Sequence, residues 1–246
     1  TILEAVAYLG DVLSYNLDRV ANESYLATAQ TRESVMDILR LIGYELQPSS
    51  PATVTMVITT TQNNVVLPKG YKVFTEADDL SPSLIYYLTK DVTLLNSGRY
   101  CVSADSARAL RAFNEAPTIN DDLVFVGAEE VISTVGISNG KADQVFLLPE
   151  SPVCLNADGT SSISVNIGGD VWTGKTSFLG ADPTDNIFVY RILSDQTAII
   201  EFGDGVTGAI PTLNNSIIVT YRVGGGLDTN RAGIGAIDQY DFIAGV

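Results

Sequence analysis

The stretch Glu201 to Gly226, EFGDGVTGAIPTLNNSIIVTYRVGGG, constrains the fold of this chain more than any other. It opens on the end of a strand predicted over residues 197–202. Gly203, Asp204 and Gly205 then form a tight turn, because glycine tolerates positive φ and aspartate bonds its own backbone. Gly208 and Pro211 mark a second bend, and Asn214-Asn215-Ser216 a third. A strand of strict period two follows. Ile217, Val219, Tyr221 and Val223 share one face; Ile218, Thr220 and Arg222 share the other. Gly224-Gly225-Gly226 releases the chain from the sheet. The spacing therefore predicts a β-hairpin with glycine turns, with Arg222 on its polar face, free to reach an acidic surface on a neighbour.

The opposite end of the chain follows a helical period. Ile2, Val6, Leu9, Leu13, Asn16 and Val20 alternate at spacings of four and three, and this near-heptad stripe predicts one helix over residues 1–27. A polar Asn16 within a seam sets register at some cost in stability. Such a helix either lies on its own β-domain, with Asn16 at the interface edge, or packs against another chain. Its length and terminal position favour the second. A further helix starts at Thr31 as N-cap and stops at Gly43, with Val35, Ile38, Leu39 and Ile42 on its apolar face.

Pro48-Ser49-Ser50-Pro51 breaks the helix, starts the β part and is the candidate hinge. Val54, Met56 and Ile58 alternate with threonines as one half-buried strand. Short strands are expected around 65–67, 71–74, 85–88 and 92–95, and a short helix around 104–113. Asn139-Gly140 reads as a hairpin turn. Strands over 144–148, 163–167, 187–193 and 197–202 complete a second β region, with the last two forming a hairpin around Ser194-Asp195-Gln196. The fold class is α+β: an N-terminal helical hairpin over 1–47, β regions over 48–118 and 119–226, and an extension over 227–246 leading toward a further part of the protein. The start at Thr1, without methionine, is what a piece of a longer protein would have.

Composition narrows the chemistry. The chain has no histidine, which removes the Ser-His-Asp and Cys-His nucleophile systems and the commonest zinc and iron sites. The carboxylate pairs Asp78-Asp79, Asp121-Asp122 and Glu129-Glu130 are poor candidates for glycoside hydrolysis, because strand neighbours point to opposite faces. No phosphate-binding or calcium-binding loop motif appears. We therefore expect no enzyme, no catalytic residues, no metal and no cofactor. A net charge of −15 argues against nucleic acid and suits a basic partner. No apolar run approaches the length of a membrane helix. Cys101 and Cys154 form no disulfide framework and suit a reducing cytoplasm. Trp172 reads as a core anchor rather than a sugar-stacking platform.

FGDG, then Gly208-Ala209-Ile210-Pro211, then Tyr221-Arg222-Val223-Gly224-Gly225-Gly226 resembles the signature of the baseplate J family, wedge proteins of contractile phage tails and related injection machines. Phe202, Gly203, Asp204, Gly205, Tyr221, Arg222, Gly224 and Gly225 carry the hairpin part of that resemblance. Earlier segments run in family order: residues 18–23 (DRVANE), 28–35, 41–44 (LIGY), 52–55 (ATVT) and 67–70 (LPKG). Later ones are Ser138-x-Gly140, Asp143-Gln144-x-Phe146-x-Leu148, Ser151-Pro152-Val153, Trp172 and Tyr190-Arg191-Ile192. Asp143 stands where the family usually has Asn. The resemblance spans roughly residues 9–231.

It implies a structural wedge component in the virion tail baseplate, assembled in the host bacterial cytoplasm. Two copies would pair through the seam of Ile2, Val6, Leu9, Leu13, Asn16 and Val20, and their helices would join a third protein in a bundle. The β-domains would meet neighbouring wedges in a ring around the hub, beside hub or sheath proteins, with no nucleic acid and no membrane insertion. The alternatives are a carbohydrate-binding or cell-wall-degrading tail module, which needs exposed aromatics or convergent carboxylates, and a secreted adhesin of tandem β-domains.

Overall fold

The computed structural model describes residues 2–44, 47–77, 82–101, 117–233 and 235–241. The helix expected around 104–113 and the pair Asp78-Asp79 lie outside the described residues. The fold is α+β, with two N-terminal helices followed by many short, mainly antiparallel strands. The chain divides into two compact units. One holds residues 1–47 and 192–195; the other holds 48–191 and 196–246.

In the first unit, helix α1 spans Ile2–Glu23 and helix α2 spans Arg32–Leu41. The α1 helix stops four residues before the expected end, and Glu23 supplies the reason. Its carboxylate accepts hydrogen bonds from the Gln30 amide (3.2 and 3.3 Å), the Thr31 amide (3.2 Å) and the Thr31 hydroxyl (3.0 Å). Thr28 Oγ1 donates to the Asn22 carbonyl at 2.6 Å. Side chains thus satisfy a turn that sequence periodicity would have continued as helix. These donors, the Ser34 hydroxyl first among them, hold the Glu23 carboxyl below its ordinary range. Thr31 caps α2 as expected, accepting from the Ser34 amide at 3.3 Å. Gly43, at φ 74°, closes it, while the Tyr44 amide donates to the Leu39 carbonyl at 3.0 Å in a Schellman arrangement.

In the second unit the largest sheet has eight strands. Their order is Ala128–Ile137, Ser216–Gly224, Ser164–Ile167, Asp170–Lys175, Ile187–Ile192, Ala198–Phe202 and Val145–Leu147, with Val153–Cys154 also pairing to Ser216–Gly224. Ser216–Gly224 is the central member, hydrogen-bonded to three other strands. Its alternation explains that position: Ile217, Val219 and Tyr221 are completely buried. The Asn139-Gly140 turn does not head a hairpin. It links Ala128–Ile137 to Val145–Leu147, which pair with different strands. Gln144 secures this connection, its amide nitrogen donating to the Ser138 hydroxyl and the Lys141 carbonyl while its amide oxygen accepts from the Asn139 amide. Trp172 is a core residue, edge-on to Phe202 with ring centroids 5.2 Å apart.

A second sheet orders Thr53–Val54, Phe125–Val126, Ile85–Leu88, Lys72–Thr75 and Ile237–Tyr240. The sequence placed two of these strands elsewhere: Phe125–Val126 in the second β region and Ile237–Tyr240 in the C-terminal extension. The single strand expected through residues 54–58 is in fact two, Thr53–Val54 and Ile58–Thr60, which enter different sheets. The segment 48–51, expected as a hinge, is fastened to the rest of its unit. The Leu155 amide donates to the Ser49 carbonyl (2.9 Å), the Gly226 amide to Ser50 (3.2 Å) and the Gly127 amide to Ala52 (2.8 Å). A segment so strapped does not act as a hinge.

The core under this second sheet is built on Leu67, Val73, Tyr86, Leu88, Leu94, Leu123 and Phe125. The Tyr86 hydroxyl donates to the Thr229 carbonyl, and the Tyr71 hydroxyl to the Asp241 carbonyl, each at 2.7 Å. Burial raises the hydroxyl pKa of Tyr71 and Tyr86, with Asp241 adding to the shift at Tyr71. Burial and the adjacent Glu129 push Tyr87 up to about 12. These folded values lie above the unfolded value of about 10. The stability that Tyr87 confers is therefore complete below about pH 10 and lost as pH rises through about 12. We expect folding stability, read by denaturant unfolding, to fall across that window. Stability unchanged between about pH 10 and about pH 12 would contradict this.

Candidate functional site

Three features stand out: the α1 stripe, the glycine-turn segment 203–215 and a charge cluster around Arg222. Among the described residues of α1 none is buried. Ile2, Val6, Leu9, Leu13 and Val20 are 54–86% exposed. At 1.5 Å per residue the helix is about 33 Å long, so the stripe, apolar except at Asn16, runs along most of its length. Tyr8, Tyr15 and Leu17 widen it, and all three are exposed. Asn16 and Val20 also line an open groove of about 870 Å³ together with Ile38 and Leu41 of α2.

The strands flanking the glycine turns do not form the expected hairpin: Ala198–Phe202 pairs with Val145–Leu147, whereas Ser216–Gly224 pairs with Ala128–Ile137, Val153–Cys154 and Ser164–Ile167, so residues 203–215 connect two non-adjacent strands of the sheet. Phe202 is completely buried and packs edge-on against both Trp172 and Phe146. The Asp204 carboxylate accepts from the Val206 amide (2.8 Å), the Thr207 amide (2.7 Å) and the Thr207 hydroxyl (3.1 Å). The Thr207 and Val206 amides hold its carboxyl below the ordinary range. The two flanking glycines are needed for different reasons. Gly205 has φ 83°, a conformation that disfavours a side chain. Gly203 does not need positive φ; a Cβ there would lie 2.5 Å from the carbonyl carbon and oxygen of Gly208. We expect Gly205→Ala to cost about 1 kcal/mol. Gly203→Ala meets backbone that cannot swing aside and should cost about 2–3 kcal/mol. Denaturant unfolding of the two variants checks the order; equal losses would contradict the close-approach explanation.

Tyr221 is completely buried, its hydroxyl accepting from the Glu150 amide at 3.1 Å. Gly224 and Gly225 leave the strand at φ 110° and 78°, and the Gly225 amide donates to the Gly127 carbonyl at 3.0 Å. Arg222 departs from expectation. Its side chain is only 11% exposed and is engaged within the chain. Nη2 lies 3.5 Å from Glu130 Oε2, Nε donates to Asn156 Oδ1 at 3.2 Å, and the backbone amide donates to the Ser162 hydroxyl at 3.2 Å. Glu130 also binds Lys69 Nζ at 2.5 Å. Lys69, Tyr87, Glu129, Glu130 and Arg222 surround a cavity of about 190 Å³. Alternation put Arg222 on the face opposite Val219 and Tyr221 correctly, but Asn156 and Glu130 engage the side chain there, beside the cavity that Lys69 and Tyr87 also line.

Contrary to the expectation from strand alternation, Glu129 and Glu130 line the same cavity, but each carboxylate is already engaged. Glu129 accepts from the Tyr87 hydroxyl, Glu130 serves Lys69 and Arg222, and Asp122 pairs with Lys90 at 2.8 Å. Both cysteines are buried, and neither is in a disulfide. Burial pushes the Cys154 thiol up to about 11, against a smaller opposing pull from Arg222. It is therefore a packing residue at neutral pH.

Comparison with known families bears on the helical segment. Residues 1–41 match the family described as bacteriophage baseplate protein, N-terminal domain. The match supports a baseplate protein. It covers the whole of α1 and α2, and it supports a structural, non-enzymatic role in a phage tail baseplate among other baseplate components. No curated protein matches the chain.

Proposed function

We propose that this chain is a structural wedge component of a contractile-tail baseplate or related injection machine, assembled in the host bacterial cytoplasm. Two copies pair in each wedge through the α1 seam, and their helices join a third protein in a bundle. The β unit meets neighbouring wedges and helps close a ring around the hub, beside hub or sheath proteins. The observation that carries this reading is α1: a 22-residue helix with an apolar seam at heptad spacing and no buried residue among those described, inside the segment that matches the baseplate family. Globular proteins rarely leave so long an apolar stripe in water.

The buried position of Trp172 weakens the carbohydrate-binding alternative, which would use it as a stacking platform. Cryo-electron microscopy of contractile particles containing the full-length protein tests the proposal. We expect paired copies per wedge, with α1 in a multi-helix bundle. Particles in which α1 lies singly against solvent, or which lack the protein, would overturn it.

A further inference from the structure

A second surface lies at one end of the eight-stranded sheet, where the connections 138–144, 168–169, 178–186 and 203–215 meet. The Asn214 amide donates to the Ser138 carbonyl (2.9 Å), the Gly208 amide to Asp182 (3.2 Å) and the Ala209 amide to Asp185 (2.9 Å). The Ser138 hydroxyl donates to the Pro211 carbonyl at 2.7 Å, and Gly168 lies directly against the Asn215 side chain. These ties hold three aliphatic side chains out in water: Leu179 is 93% exposed, Val206 68% and Leu213 57%. The Val206 backbone is held by the Asp204 carboxylate. Three exposed aliphatic side chains on connections tied together at one end of a sheet mark a surface that something covers, and the ordered backbone beneath them lowers the ordering cost of covering it.

Charge says what covers it. These four connections carry Asp143, Asp182, Asp185 and Asp204 against one cation, Lys141, and Asp170 directly follows the 168–169 turn. A second copy of this chain, itself at net charge −15, would bring the same acidic end or another part of an acidic molecule. Like-charge juxtaposition opposes that pairing, whereas a basic surface is drawn in. We propose that this end of the sheet docks a protein other than this chain, through an apolar hollow rimmed by lysine and arginine. The surface shares no residue with the α1 seam, and the inference rests on the assembly reading above.

The test uses particles assembled with full-length protein carrying the photo-crosslinker p-benzoylphenylalanine in place of Val206. Normal incorporation is expected, with crosslinking to a single non-identical protein at a segment rich in lysine or arginine. The charge-reversed double variant Asp170→Lys/Asp182→Lys should lower that crosslink yield at least tenfold. Crosslinking to a second copy, crosslinking to an acidic segment, no crosslink from an incorporated chain, or a yield unchanged by charge reversal would each overturn the inference. Absence of the protein from the particles would overturn the assembly reading, and this docking with it.

Discussion

Leu9→Asp should abolish association through the helical seam while leaving the β unit folded. Leu9 sits mid-seam and is 58% exposed in the single chain, so the substitution removes nothing that the isolated chain buries. In a helix–helix interface it forfeits about 1.5–3 kcal/mol of apolar burial. It also places a carboxylate where no partner compensates it, at a further cost of several kcal/mol. At about 1.4 kcal/mol per tenfold change in affinity, the combined effect is on the order of a thousandfold weaker association. Sedimentation velocity of the variant against wild type reads the association, and thermal unfolding reads the β unit. Global unfolding of the variant, or unimpaired association, would remove α1 as the interface.

Arg222→Glu should destabilise the second unit strongly. The sequence suggested a solvent-facing arginine whose reversal would leave folding alone; the observed environment reverses that expectation. The substitution deletes the contacts to Glu130 and Asn156 and sets a carboxylate beside Glu130 in a site only 11% exposed. Removing one member of a buried ion pair typically costs about 3–5 kcal/mol. For a unit of this size that corresponds to a fall in melting temperature of about 10 °C. Differential scanning calorimetry checks it. The conservative Arg222→Lys keeps the charge without the guanidinium fork, so it should lose less than the reversal. A melting temperature unchanged in Arg222→Glu would mean that the cluster contributes nothing to folding.

Local signals carried the local structure. The two-residue period of residues 216–224 and the Asp204 turn were legible because each is written in a few adjacent residues. The end of α1 was misjudged because it is set by the Glu23 side chain reaching seven and eight residues ahead, which periodicity does not register. Arg222 was misjudged for a related reason: alternation reports which face a side chain takes, and only tertiary structure decides whether that face is covered. Sheet membership was the least legible feature. Thr53–Val54 and Ile58–Thr60 differ little in composition, and what separates them is the strand each meets, Phe125–Val126 for one and Gly98–Cys101 for the other. The helix α1 was readable because its apolar residues recur at spacings of three and four.

The sheet that starts at Thr53 is completed only by Ile237–Tyr240, and the Tyr71 hydroxyl finds its acceptor 170 residues later, at Asp241. Ribosomes deliver about 5–20 residues per second, so Lys72–Thr75 waits on the order of 10–30 s with one edge bare. Long-range closure of this kind slows folding, and an unpaired edge invites wrong partners. Without Ile237–Tyr240 the Lys72–Thr75 edge stays unpaired, so synthesis through residue 240 is what removes a sticky edge from this sheet.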